Sequence, residues 1–348
     1  MPTPVPEHGQ HREPGGLRVL LLGATGTIGQ ATARALVEAG HHTVCLVRPG
    51  AEGADARARE LRERLPGAEL RFGAATDPES LRRDGFRGER FDAVVSCMAS
   101  RTGAPRDAWA VDHRAHCEVL AAAKEAGVHT MVLLSAICVQ KPTLEFQKAK
   151  LAFEEELRNS GLVFSIVRPT AFFKSLSGQI GRVKAGKPFL VFGDGTRTAC
   201  KPISDSDLGR FIAGCLTDPQ RQNRVLPIGG PGPAITPREQ GEELFRLIGK
   251  APRFQNVPTA LFDVIGGVLG TVGKVIPPLA EKAEFARIAK YYGTESMLVL
   301  NPETGAYDAD ATPSFGEETL FDFYARAVAG EASAELGEHA MFDKRKAA

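Results

Sequence analysis

Three observations predict an α/β chain built on a doubly wound parallel sheet. Short, continuous apolar runs alternate with helical patterns through the first half. The first of these runs leads straight into a glycine-rich turn that opens a helix. No internal repeat or long low-complexity segment breaks the alternation. Continuous apolar strands need cover on both faces, and helices between parallel strands supply it.

The elements follow in order. Arg18–Gly23 (RVLLLG) is a buried strand, and Ile28–Gly40 is a helix that stops on Gly40. His42–Val47 is the second strand, Ala54–Leu65 a charged helix, and Glu69–Phe72 a short third strand. Phe91–Met98 (FDAVVSCM) is the fourth, followed by a helix near Trp109–Ala126. Thr130–Ile137 is the fifth, Phe146–Asn159 a helix, and Val163–Val167 the sixth. The second half is less regular. Lys184–Gly195 reads as a hairpin-like excursion, Ser204–Leu216 as a helix and Arg224–Ile228 as a strand. Thr236-Pro237-Arg238-Glu239 opens a further helix, with Thr236 as cap, Pro237 in the first position and Glu239 completing a capping box. Beyond residue 250 the pattern is helical and broken by Gly and Pro.

The chain has 348 residues, enough for one large domain or two ordinary ones. It divides into a polar tail (1–16), a nucleotide-binding core (17–180) and a smaller, mostly helical C-terminal substrate subdomain (181–342), with 197–230 returning to the core sheet. Lys+Arg is 43 against Asp+Glu 42, so no nucleic-acid partner is expected. Cys45, Cys97, Cys117, Cys138, Cys200 and Cys215 form no C-x-x-C pair, and most lie in apolar runs. They read as reduced core cysteines of a cytoplasmic protein. The tail has no apolar segment of the secretory kind and reads as flexible. No run is long and apolar enough for a transmembrane helix.

Gly23-Ala24-Thr25-Gly26-Thr27-Ile28-Gly29 sits between the first strand and its helix. That context is the fingerprint of a Rossmann domain. Gly23 permits the tight turn, Gly26 lets a pyrophosphate approach the backbone, and Gly29 lets helix pack on strand. The helix N-terminus then offers free N–H groups to the phosphates. Gly23, Thr25, Gly26, Thr27, Ile28 and Gly29 are therefore the expected cofactor contacts. The second strand ends in Val47-Arg48-Pro49. A ribose-binding acid would stand there for NAD. Arg48 instead suits a 2′-phosphate, which favours NADPH. After the third strand, in Phe72–Asp77, the acid expected to hold the adenine is missing unless Asp77 replaces it.

The Gly-x-x-Gly-x-x-Gly spacing resembles that of the extended and atypical short-chain dehydrogenase/reductases. From Leu17 to Phe342 the chain resembles, more specifically, the NADPH-dependent divinyl chlorophyllide a 8-vinyl-reductases of phototrophs. The segments that carry this are Leu133–Leu157, Phe164–Ile180, Val191–Leu208, Leu226–Gly232 and Tyr291–Gly305. The resemblance implies reduction of the 8-vinyl group of a divinyl tetrapyrrole, a divinyl chlorophyllide, to ethyl. The absence of an Arg/Ser-rich leader fits a bacterial enzyme. Cytoplasmic placement is expected, with or without peripheral contact at photosynthetic membranes.

Short-chain enzymes carry a Tyr-x-x-x-Lys pair after the fifth strand. This chain has Phe146-Gln147-Lys148-Ala149-Lys150 there. Phe146 cannot donate a proton, which suits an alkene better than a carbonyl. Lys150 keeps the place of the residue that holds the nicotinamide ribose, and is the expected catalytic group. Ser135 stands where the usual Ser or Thr does, and either touches the nicotinamide or caps a turn. The resemblance puts the backbone of Pro169 and Thr170, after Arg168, at the carboxamide pocket. Ser96–Arg101, with Ala99, passes beside the ribose. Cys97 reads as packing. Phe172, Phe173, Tyr291 and Tyr292 are either pigment-stacking or core aromatics. Lys174 or Lys201 would meet the pigment carboxylate. Leu261–Ile276 is an apolar lid, a membrane-surface contact or a buried helix. The eight histidines form no metal cluster. Two other readings share the cofactor loop: an isoflavone-reductase-like alkene reductase, and a non-catalytic NADP sensor or assembly protein.

Overall fold

The computed structural model describes residues 16–49, 54–258, 262 and 277–332. The tail up to residue 15 and the Leu261–Ile276 stretch, apart from Phe262, therefore lie outside the described residues.

The chain runs β1 (Arg18–Leu22), α1 (Thr27–Glu38), β2 (His42–Val47), α2 (Ala54–Arg64), β3 (Glu69–Phe72) and α3 (Pro78–Ser80), which widens into a π-helical turn over Leu81–Phe86. It continues through β4 (Ala93–Ser96), α4 (Pro105–Ala108), a second π-helical turn (Trp109–Ala115), α5 (His116–Glu125), β5 (Thr130–Leu134), α6 (Glu145–Arg158) and β6 (Val163–Pro169). Then come α7 (Phe173–Leu176), α8 (Ile180–Lys184), β7 (Phe189–Phe192), α9 (Asp205–Gly214), β8 (Arg224–Ile228), α10 (Pro237–Leu247) and β9 (Phe254–Val257). The helices Pro277–Thr294 and Leu320–Ala329 follow, with a small antiparallel pair between them.

Seven strands form one parallel sheet in the order β3-β2-β1-β4-β5-β6-β8. Strand order reverses between β1 and β4, and in open α/β sheets ligands bind in the crevice at that switch point, beyond the carboxyl ends of the strands. The alternation of strand side chains sorts the core into two layers. Val19, Leu21, Cys45, Val95, Val132 and Val167 meet Ala33 and Leu36 of α1 and Leu208 and Ile212 of α9. Leu20, Leu22, Val44, Val94, Met131 and Ile166 meet Val119 of α5 and Phe153 and Leu157 of α6. A third cluster joins Phe146 and Ala149 of α6 to Phe173, Ile180, Phe189, Leu244, Tyr291 and Tyr324, so the C-terminal elements pack against α6.

Several expected elements change shape. Lys184–Gly195 makes no hairpin: β7 pairs in parallel with the distant β9. Phe189 and Val191 are buried, and α10 together with β9 gives their face the cover that a free hairpin lacks. The fifth strand stops at Leu134, and Ile137–Gln140 is a tight 3₁₀ turn with Ile137, Cys138 and Val139 all buried. An apolar run buried on every side reads as strand in the sequence whatever its backbone does. The helix expected near Trp109 begins earlier, with Pro105 in its first turn. The turn Pro78–Phe86 was not foreseen, although Asp77 caps it by accepting from the Glu79 amide. Asp77 is thereby an exposed helix cap. The Thr236–Glu239 capping box forms as expected.

Helices α1 and α9 pack in close contact at Gly209, where an added Cβ would lie 2.6 Å from the Ala31 carbonyl carbon. Gly209→Ala should therefore cost about 2 kcal/mol of stability through overpacking. A lowered urea midpoint with an unchanged slope is the expected outcome, and an unchanged midpoint would contradict this packing.

Candidate cofactor and active site

The site is built from the carboxyl ends of β1, β4, β5 and β6. Gly23 takes a left-handed φ of 77°, and a Cβ there would lie 2.6 Å from the Cys97 backbone. At Gly29 a Cβ would lie 2.0 Å from the Gly23 carbonyl oxygen. Both positions exclude any side chain, and together they bring the head of α1 against the sheet. Gly26 is exposed, and a Cβ there would meet only the Gly23 carbonyl, at 3.4 Å. It is the N-cap of α1 and provides no side-chain cap. The first turn holds no acidic residue. Uncapped amides at the positive end of a helix dipole suit an anion, so this loop fits a dinucleotide pyrophosphate.

Arg48 is exposed at the end of β2, and Ala99 is exposed beyond β4. The Cys97 thiol is pushed up to about 12 by burial and lies 3.5 Å from the Thr32 hydroxyl, so it is no nucleophile. Thr170 closes the end of β6: its amide donates to Ile228 O at 2.9 Å and its hydroxyl to Lys201 O. Pro169 is buried just before it.

The Phe146–Lys150 spacing places both residues on α6. Phe146 sits in the third apolar cluster. The Lys150 ammonium lies 2.9 Å from Oδ1 of Asp112, which also accepts from the Ser100 amide at 3.2 Å. Asp112 is buried, and its Oδ2 has no hydrogen-bond partner among the described residues. Asp112 sits in the π-helical turn Trp109–Ala115, and such widened turns inside helices are frequent at functional sites. A carboxylate thus fixes the lysine that lacks a tyrosine partner. Behind it, the ring of His116 joins Ser96 Oγ and Val111 O, each at 2.8 Å. Burial, with Lys150 nearby, lowers the His116 pKa to about 4.

The Ser135 hydroxyl is buried and donates to Glu154 Oε1 at 2.5 Å. Glu154 in turn binds Arg168 through both oxygens. This Ser135–Glu154–Arg168 chain ties the ends of β5 and β6 to α6. Glu154 escaped the sequence reading because a Glu within Phe153-Glu154-Glu155-Glu156 looks solvated.

Other residues fall elsewhere. Tyr291 is buried and donates to Cys138 O at 2.9 Å, so it belongs to the core rather than to a pigment-stacking surface. Phe173 is buried with it, Phe172 is half-buried, and Tyr292 is exposed. Lys201 donates to Thr312 O and to the Ser314 hydroxyl, which holds the C-terminal segment instead of facing a pigment. Lys174 reaches the Thr27 hydroxyl at 2.8 Å. No metal-ligating group of three or more His, Cys, Asp or Glu occurs among the described residues.

The profile of an NAD(P)H-binding family matches residues 23–219. The chain is 48% identical to the chloroplastic divinyl chlorophyllide a 8-vinyl-reductase of Oryza sativa subsp. indica over 340 residues, 94% of this chain and 83% of the relative. It belongs to the divinyl chlorophyllide a 8-vinyl-reductase family. The Arabidopsis thaliana reductase is 46% identical over 339 residues, 94% of this chain and 81% of its own. Among solved structures, an NADPH-dependent quinone oxidoreductase of Escherichia coli shares the fold, with a TM-score of 0.62 and 19% identity over 90% of this chain and 99% of its own. The doubly wound sheet is thus that of NAD(P)-binding reductases.

Two outcomes test this geometry. Glu154→Gln leaves the Arg168 guanidinium without its buried anion and should cost about 3 kcal/mol in urea unfolding. His116 is held neutral in the fold with its pKa lowered from 6.5 to about 4. Between those values the unfolded chain binds the extra proton, so stability should fall as pH drops from about 6.5 toward 4. His116→Gln should flatten that slope, measured by thermal melting across the same range.

Proposed function

We propose that this chain uses NADPH to reduce the 8-vinyl group of divinyl chlorophyllide a, or of its protochlorophyllide analogue, to ethyl during (bacterio)chlorophyll synthesis. The observation that carries this reading is the 48% identity with the rice 8-vinyl-reductase across 94% of the chain. Phe146 supports it chemically, because an alkene has no carbonyl oxygen to protonate.

In this reading Gly23, Thr25, Gly26, Thr27, Ile28 and Gly29 hold the pyrophosphate, and Arg48 meets the 2′-phosphate. Ala99, Ser135, Lys150, Pro169 and Thr170 line the nicotinamide half. Bound there, NADPH supplies a hydride. The vinyl group takes up that hydride and one proton, and the macrocycle spreads the developing negative charge between the two additions. Lys150 orients the ribose and offsets that charge from its seat on Asp112. The proton comes from a side chain or from water.

Residues 181–342 cover the tetrapyrrole, and 17–180 with the returning strand β8 hold the cofactor. No helix among the described residues is long and apolar enough to cross a membrane. Exposed Phe285 and Tyr292 on the helix Pro277–Thr294 give this region an apolar surface. That surface supports peripheral contact with photosynthetic membranes, where the protein would meet its pigment.

Purified protein with NADPH and 3,8-divinyl chlorophyllide a should shift the Soret band and the chromatographic retention to those of the 8-ethyl product. Lys150→Ala should raise the KM for NADPH or abolish turnover. Arg48→Ala should cut the preference for NADPH over NADH about tenfold, the scale of one charge-assisted hydrogen bond to a phosphate. NADPH binding without turnover on any divinyl pigment would instead favour the sensor reading that Phe146 raises.

A further inference from the structure

Lys174 arrives at the glycine-rich loop from the far side of the chain, 147 residues after the threonine it touches. It stands on α7, the short helix after β6. Its neighbour Phe173 is buried in the C-terminal cluster, which anchors the helix and sets the direction of the lysine. Its ammonium donates to Oγ1 of Thr27, the first residue of α1.

That partner is neutral. Among the described residues Lys174 forms no ion pair, and the first turn of α1 carries no acid. A carboxylate in electrostatic reach is Asp205, at the start of α9. Asp205 makes no hydrogen bond to Lys174, and its Oδ1 is buried without a partner. Burial pushes its pKa up to about 6, so near neutral pH it is mostly ionised and offsets part of the Lys174 charge without bonding to it. A half-buried cation therefore faces a set of uncapped helix amides, with only a hydroxyl between them. Two features of the same sign that converge on one point call for an anion there.

We propose that Lys174 is a cofactor-binding residue whose ammonium meets the pyrophosphate of NADPH at the head of α1, rather than the carboxylate of the pigment. This rests on NADPH as the cofactor and on nothing about the pigment. A lysine suits the role because it presents a compact point charge on a flexible stem, and it can leave Thr27 for a phosphate oxygen without moving the backbone. The pyrophosphate is common to NADPH and NADH, so Lys174 adds affinity without adding selectivity. Arg48, in its proposed place, adds affinity for NADPH alone and so adds selectivity.

Calorimetric titration of the full chain with NADPH and with NADH, without any pigment, separates the alternatives. Lys174→Met should weaken both cofactors by about the same factor, roughly tenfold. The loss should shrink as salt is raised, because a charge contact is being removed. Lys174→Arg should hold both affinities within about threefold, which shows that charge and not a fold defect decides the effect. Unchanged binding of both cofactors to Lys174→Met would overturn the proposal. So would a loss confined to NADPH, which would move the lysine to the 2′-phosphate. Failure of the wild-type chain to bind either dinucleotide would defeat the cofactor reading itself, a result distinct from these.

Discussion

The site depends on one steric constraint, the approach of α1 to the end of β1. Gly23 and Gly29 leave no room for a Cβ between the turn, the helix and the backbone of Cys97. Any side chain at either position would lift the head of α1 off the sheet. With the helix seated, its free amides lie at the switch point between β1 and β4, where the crevice of the sheet opens. Gly209 repeats the constraint on the other flank, since it lets α9 close on Ala31 and fixes α1 from outside.

Around that anchor the charges are arranged in pairs, with few left over. Lys150 is neutralised by Asp112, and Arg168 by Glu154, which also takes the Ser135 hydroxyl. Both carboxylates are buried, so each pair is held in a low-dielectric setting where the loss of either partner leaves an uncompensated charge and is strongly destabilising. A reductase that lacks the tyrosine has no phenol for its lysine to activate. The Asp112 contact gives that lysine a different support: it keeps the ammonium in place near the ends of β4 and β5. The site itself offers no acid at position 146.

Much of this was legible in the sequence. Strands β1, β2, β3 and β8 match their expected spans to within a residue; for β1 and β2 the reason is that parallel strands buried on both faces print continuous apolar runs. The capping box at Thr236 was legible for a similar reason: its hydrogen bonds span only three residues. The failures were cases where one pattern serves two backbones. Ile137-Cys138-Val139 is apolar whether extended or turned, and the β7 stretch depends on a partner more than sixty residues away. The core alternative held for Tyr291, while the contacts of Lys201 were not legible because a lysine says nothing of what it will meet.

By itself the sequence determined the doubly wound sheet, the glycine turn at its switch point, the arginine where an acid would select NAD, and the loss of the tyrosine at Phe146. These are local matters: a period, a spacing or a missing functional group, each complete within a few residues. Only the tertiary structure decided which charges meet. It set Asp112 under Lys150, Glu154 between Ser135 and Arg168, and Lys174 on Thr27. Those contacts join residues 14 to 147 positions apart, and no local pattern encodes them, because they exist only once the sheet has brought the ends of its strands together.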